Sequence, residues 1–313
     1  MADVIKKAAR EGYGNALKAL GAQHDDVVVL DADLAGSTKT AVFGKAFPER
    51  HINCGIAEGN MVSVAAGLAS LGFKAFVSSF AMFASGRAFE QIRNSVAYPG
   101  LNVKICASHG GITVGEDGAS HQCCEDFALM RSIPGMVVLC PSDSNEAEAC
   151  VRAAYAHEGP VYVRFGRSAT PVLHDEHHEI TIGKGEQLTN GDDVAIAATG
   201  IMVPEALDAA EILKQQGIHA RVLNLYSIKP IDQELVLKAA RECGRIVTVE
   251  EHNILGGLGE AVCSTVCEQY PVPVKRLGIR DEFGRSGPAD ALLEFYGLKG
   301  HCIAEEVKAF LGK

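Results

Sequence analysis

Short continuous apolar runs alternate with longer amphipathic stretches along nearly the whole chain, and this rhythm limits the fold more than any single motif. Val27-Val28-Val29-Leu30 reads as a strand, 57–71 as a helix, Lys74 to Ser78 as a strand and 80–97 as a helix. Val103 to Cys106 reads as a strand leading into a Gly-rich loop. A helix at 123–132, a strand from Met136 to Leu139, a helix at 144–157 and a strand from Val161 to Phe165 follow. Strands that are apolar throughout, set between amphipathic helices, fit a parallel sheet covered on both faces. The rhythm breaks at 168–190, around Pro171, His174, His177, His178, Gly183 and Gly185. It restarts with strands at Val194 to Ala198, Ala220 to Leu225, Ile246 to Glu250 and Val274 to Ile279. Helices at 203–216, 232–242, 258–269, 289–296 and 302–311 accompany them. The expectation is an α/β protein of two doubly wound domains, residues 1–170 and 191–313, joined by a linker at 171–190. The three linker histidines are read as solvated rather than metal-binding, because no catalytic context surrounds them.

The chain has 313 residues, 47% hydrophobic, enough to bury two cores. Its formal charge of −10 argues against nucleic-acid or membrane-surface partners. No apolar run is long enough to cross a bilayer, and no charged-then-apolar leader opens the sequence. Ten cysteines in such a chain fit a reducing, cytoplasmic setting. Cys263 and Cys267, four apart on one helix face, are expected to be buried small hydrophobes. No CxxC pair occurs, which argues against a structural zinc site. Cys123 and Cys124 read as packing residues that their neighbourhood makes sensitive to alkylation.

Four segments carry chemistry. The first is Gly55-Ile56-Ala57-Glu58-Gly59-Asn60-Met61, a lone carboxylate at the mouth of a turn that opens into an apolar helix. A charge there needs a partner or a task. The others are Ser78 to Phe83, Ser108 to Gln122, and Arg164-Phe165-Gly166-Arg167. All four lie at or beyond the carboxyl ends of expected strands, where open α/β sheets bind ligands. Gly256-Gly257-Leu258-Gly259-Glu260-Ala261-Val262 imitates a dinucleotide fingerprint, but Val262 stands at the third glycine position, so it reads as a tight turn into a helix. On spacing alone, Phe80 and Phe83 read as core.

Together these segments resemble the pyrimidine-binding and C-terminal domains of transketolase, and the resemblance covers essentially the whole chain. Gly115-Glu116-Asp117-Gly118-Ala119-Ser120-His121-Gln122 is its most specific part, followed by Glu58 and its flanks. The resemblance implies that Glu58 hydrogen-bonds N1′ of thiamine diphosphate, favouring the imino form that removes the thiazolium C2 proton. It implies that Phe83 stacks on the aminopyrimidine with Phe80 beside it. A tyrosine usual three residues further on is Gly86 here. It gives Asp117 and His121 contacts to substrate hydroxyls, with His121 also able to move protons near neutral pH. It gives a sugar's terminal phosphate to Arg10, Ser37, His109 and Arg167, with guanidinium forks gripping its oxygens. Arg87 and Arg164 are read as structural.

The Gly-Asp-Gly motif with a downstream Asn, which binds Mg²⁺ and the diphosphate in that family, is missing from this sequence. No metal ligand is therefore assigned to this chain. The resemblance implies a subunit that is inactive alone and needs a separate N-terminal subunit, two copies of each, to transfer a two-carbon ketol unit between sugar phosphates. The alternatives weighed are 1-deoxyxylulose-5-phosphate synthase, the β subunit of 2-oxoacid dehydrogenases, and an inactive regulatory half-subunit.

Overall fold

A computed structural model describes residues 5–313. The first half of the chain builds a sheet whose spatial order is Ser227–Lys229, Val137–Leu139, Val161–Arg164, Val103–Ser108, Lys74–Phe80, Val27–Asp31 and His51–Asn53. Its neighbours are parallel except the edge strand Ser227–Lys229, which the second half lends across and which runs antiparallel to Val137–Leu139. The strands are apolar because helices cover both faces. Met61, Val62, Phe127 and Met130 pack one face; Tyr13, Leu17, Phe43 and Val151 pack the other.

The second half builds a sheet ordered Val274–Ile279, Ile246–Asn253, Val194–Ala198, Ala220–Asn224 and Glu186–Gln187. Leu213, Ile303 and Val307 cover one face, and Val236, Leu258 and Val262 the other. The stretch between the halves is tied down on both sides. Ala169–Pro171 pairs with Lys6–Ala8, and Glu186–Gln187 pairs with Ala220–Asn224.

The reading of the linker histidines as solvated is overturned for His174 and His178. The His174 side chain is 5% exposed, because carboxylates from both halves close on it. Only His177 stands in solvent. The cysteine pair departs the other way: Cys263 is half-buried and Cys267 exposed, since their helix turns that edge outward. Burial pushes the Cys123 thiol up to about 12 and the Cys124 thiol well above its ordinary value, so the expected reactivity toward alkylation is contradicted.

The helix expected over 80–97 is not one regular rod. The strand runs on to Phe80, and the chain then winds as π-helix at Met82–Arg87 and Ile92–Ala97 about a short α segment, Phe89–Gln91. A π turn takes an extra residue and re-aims the side chains beyond it, and such turns gather at functional sites.

In the first sheet the chain leaves Val27–Asp31 for the edge strand His51–Asn53, then returns across it to Lys74–Phe80. That reversal opens a crevice at the carboxyl ends of the strands.

Candidate functional site

The residues singled out in the sequence converge on this crevice from separate elements. Ser37 lies in the short helix Ala35–Thr38 after the strand Val27–Asp31. Glu58 is the first residue of the helix Glu58–Ser70, after His51–Asn53. Phe80 ends its strand and Phe83 follows in the π turn. His109 comes immediately after Val103–Ser108. Arg167 lies just beyond Val161–Arg164. Arg10 enters from the first turn of the helix Ala9–Gln23, which Tyr13 pins to the sheet by a 2.5 Å hydroxyl bond to Ser78.

Four rings form the centre of the site. The His109 imidazole stacks on Phe80 with centroids 3.8 Å apart. Phe80 stacks on Phe83 at 5.8 Å. His121 meets Phe83 edge-on at 5.2 Å. Phe83 is partly exposed, whereas Phe80 is buried. His109 holds φ +60°, a left-handed backbone that a non-glycine residue adopts at a cost. Gly111, Gly115 and Gly118 of the same loop are left-handed too. The loop is thus built to a shape, not draped over the sheet.

Positive charge gathers beside the rings. Arg10 Nη1 donates to the Ser37 carbonyl at 2.9 Å, while Arg10 Nε is buried without a partner. Burial, then the nearby Arg167 guanidinium, lowers Arg10. Burial, followed by the charges of Arg10, Arg167 and His121, pushes the His109 imidazole down to about 3. Neutral His109 therefore offers one N–H and one lone pair among cations. Arg167 Nη1 donates to the Val114 carbonyl and lies 3.1 Å from Glu116 Oε2. A pocket with two guanidiniums and a neutral imidazole is suited to a compact, multiply charged anion. Asp117 is exposed on the same loop, at the end of the 3₁₀ segment Ile112–Asp117.

Glu58 is 1% exposed. Its Oε2 accepts from Arg87 Nη1 at 2.9 Å, and the Arg87 guanidinium lies over the Phe83 ring, 5.0 Å from its centroid. Phe83 and Arg87 both lie in the π turn Met82–Arg87. The i,i+4 spacing of Phe83 and Arg87 marks helical neighbours, but nothing in it marks the further contact with Glu58.

Arg164, by contrast, is structural, as read from the sequence. It is buried between Asp126, at 3.4 Å, and Glu251 of the second half, at 3.7 Å. Burial opposes its charge, but Asp126 and Glu251 outweigh that and hold it well above its ordinary value. Glu251 was missed in the sequence. Its Oε2 accepts from Thr113 N and Thr113 Oγ1 at 3.1 and 2.8 Å, so the second half grips the loop that carries His109, Asp117 and His121. A Cβ at Gly111 would meet the Glu251 carboxyl carbon at 2.3 Å. That is the reason for glycine there.

Known proteins resemble the chain along nearly its whole length. Residues 6–172 match the family described as transketolase, pyrimidine binding domain, and residues 183–303 match transketolase, C-terminal domain. A putative transketolase C-terminal section from Methanocaldococcus jannaschii is 53% identical over 306 residues, spanning 97% of this chain and 96% of that protein. The 6-deoxy-6-sulfo-D-fructose transketolase subunit SqwH of a Clostridium species is 46% identical over 289 residues, 92% of this chain and 90% of that one. A solved structure described as a split gene transketolase, inactive beta4 tetramer, superposes with a TM-score of 0.91 at 51% identity, over 97% of this chain and 98% of the other.

Proposed function

This chain belongs to the transketolase family as its C-terminal subunit, and from that premise we propose that it completes a thiamine-diphosphate site with a separate N-terminal subunit. The pair would move a two-carbon ketol unit from a ketose phosphate to an aldose phosphate. One observation carries this reading: a buried carboxylate and an aromatic face lie in the same crevice as a cationic pocket. That pocket is formed by Arg10, His109 and Arg167.

The residues fit the cofactor's aminopyrimidine by a stand-in within the chain. The Arg87 guanidinium is a planar nitrogen group that donates N–H to Glu58 and lies on Phe83. Those are the two contacts an aminopyrimidine would make with the same two residues. Loading the site then requires Arg87, whose side chain is 54% exposed, to swing out. Thiamine diphosphate, when bound, supplies the electron sink for cleaving the bond next to the ketose carbonyl. Glu58 holds a proton at the ring nitrogen, and its burial makes that hydrogen bond strong. Phe80 and Phe83 exclude water and fix the ring plane. Asp117 and His121 orient the sugar hydroxyls, with His121 taking or returning a proton. Arg10, Ser37, His109 and Arg167 grip the terminal phosphate.

Mg²⁺ and the diphosphate would be held mainly by the N-terminal subunit, in an assembly with two copies of each chain. Two points support a missing partner. Ile56, two residues before Glu58, stands 77% exposed, and a relative's beta4 tetramer is described as inactive. No helix among the described residues is long and apolar enough to cross a membrane, and a cytoplasmic setting fits the ten free cysteines. The Clostridium relative's sulfo-sugar name leaves the physiological sugar pair open to other anionic sugars.

The test is reconstitution with the N-terminal subunit, thiamine diphosphate and Mg²⁺. Ketol transfer between sugar phosphates by the mixture, and by neither chain alone, is the expected result. Condensation of pyruvate with a triose phosphate, or activity coupled to a lipoyl carrier, would replace this reading with one of its rivals.

A further inference from the structure

Next to the interdomain stretch the structure holds a cage of imidazoles and carboxylates that the chemistry above does not use. His174 and His178 lie with ring centroids 4.1 Å apart, against the helix Ser144–Ala156. Asp143 is fully buried, and its Oδ2 lies 2.8 Å from His174 Nδ1. Glu186, on the edge strand of the second sheet, has Oε2 3.0 Å from His174 Nε2. His178 Nε2 is sealed from solvent with no hydrogen bond, 3.9 Å from Glu146 Oε1. Glu146 is buried, its Oε2 taken by Ser142. Its Oε1 accepts from Asn224. The ligand atoms of Glu146, His174 and His178 lie within 4.8 Å of one another.

We propose that this junction is a Zn²⁺ site, held by Glu146, His174 and His178, with Glu186 Oε2, 3.0 Å from His174 Nε2, drawn in as the fourth ligand. Two imidazole nitrogens with two carboxylate oxygens suit a tetrahedral zinc ion. Asp143 is the outer partner. Bonded to Nδ1, it fixes the His174 ring and leaves Nε2 to face the metal. The orphaned His178 nitrogen gains the partner it lacks. The ion would join the helix, the interdomain stretch and the second sheet, so it would tie the two halves together.

Charged groups face both imidazoles of the cage. Around His174 stand Asp143, Glu146 and Glu186, with His178 above it; Asp175 faces His178. Burial opposes protonation of His174, but the hydrogen bonds to Asp143 and Glu186 outweigh it and raise the ring to about 10. Burial and the charge on His174 lower His178.

The experiment uses the full chain alone, stripped with chelator and titrated with ZnCl₂ by calorimetry, with Co²⁺ absorption as a second probe. About one equivalent should bind per chain, and Co²⁺ should show tetrahedral bands without thiolate charge transfer. His178→Ala should weaken binding at least about tenfold, while the metal-free variant melts close to the parent. His301→Ala, which alters the exposed Glu294–His301–Cys302 group, should change nothing. Absence of saturable binding, thiolate bands, or undiminished affinity in His178→Ala overturns the proposal and leaves a cage closed by a proton only. None of these readouts depends on the transferase reading.

Discussion

The two halves both set a glutamate against the start of a helix at the carboxyl end of a parallel sheet, and they dispose of it in opposite ways. In the first half Glu58 opens its helix and points into a crevice, where its contact is the half-exposed Arg87. In the second half Glu250 is consumed at home. Its two oxygens accept from Leu258 N and Gly259 N at 2.7 and 2.8 Å and close the helix end where a dinucleotide phosphate would sit. A Cβ at Gly257 would meet Glu250 Oε2 at 2.0 Å. The same architecture thus gives a crevice where the glutamate meets a half-exposed guanidinium, and a support where polar groups satisfy one another. Fold alone does not distinguish the two.

That contrast breaks or sharpens under substitution. The largest effect is expected at Glu58. In the reconstituted pair Glu58→Gln should lower ketol-transfer kcat by about 10²–10⁴-fold, with the circular-dichroism melting curve of the chain barely moved. A rate near the parent's would return Glu58 to the class of Glu250. Next is Arg167→Ala, which should raise KM about 10–100-fold for phosphorylated sugars and leave free sugars little changed. Equal effects on both would remove the phosphate from the cationic pocket.

A smaller effect separates the two helix starts. Gly257→Ala drives a methyl into a fixed carboxylate and should cost about 1–3 kcal/mol in denaturant unfolding. Gly59→Ala meets the Gln91 side chain at 3.2 Å, which can shift, so its cost should be under about 1 kcal/mol. The reverse order would mean that the first half, not the second, is the internally closed one.

The smallest effect is in pH dependence, where the halves should slope oppositely. His109 is lowered to about 3, so the unfolded chain takes up its proton first. That stability is present above about pH 6.5 and is lost as pH falls toward 3. Burial raises Glu250 to about 7, against the helix N–H groups and Arg164. The native state then binds that proton more readily, and the contribution fades as pH rises from about 4.5 to 7. His109→Asn should gain relative stability on acidification, and Glu250→Gln on raising the pH, in paired thermal melts. Parallel slopes would contradict the assignment.

The alternation of strand and helix was legible because a buried parallel sheet needs strands apolar on both faces, and the crevice because such sheets carry function beyond their strand ends. What escaped was set by tertiary partners. Ser227–Lys229 is three residues long and pairs with a strand some way back in the chain, so no local pattern marks it. The π turns Met82–Arg87 and Ile92–Ala97 have no signature in spacing. Glu251 and His174 look like ordinary charged residues until the halves come together and bury them. Arg10, Ser37, His109 and Arg167 were found by their resemblance to a family, since a lone arginine or serine near a strand end says little by itself.

The central claim is that Glu58 holds a vitamin-derived ring in a crevice closed by a second chain. Its most direct test is calorimetric titration of thiamine diphosphate, with Mg²⁺ present, into the purified two-subunit assembly. Saturable binding that Glu58→Gln weakens and the isolated chain lacks is the predicted result. No heat from the assembly, or the same affinity with Gln at that position, would contradict it.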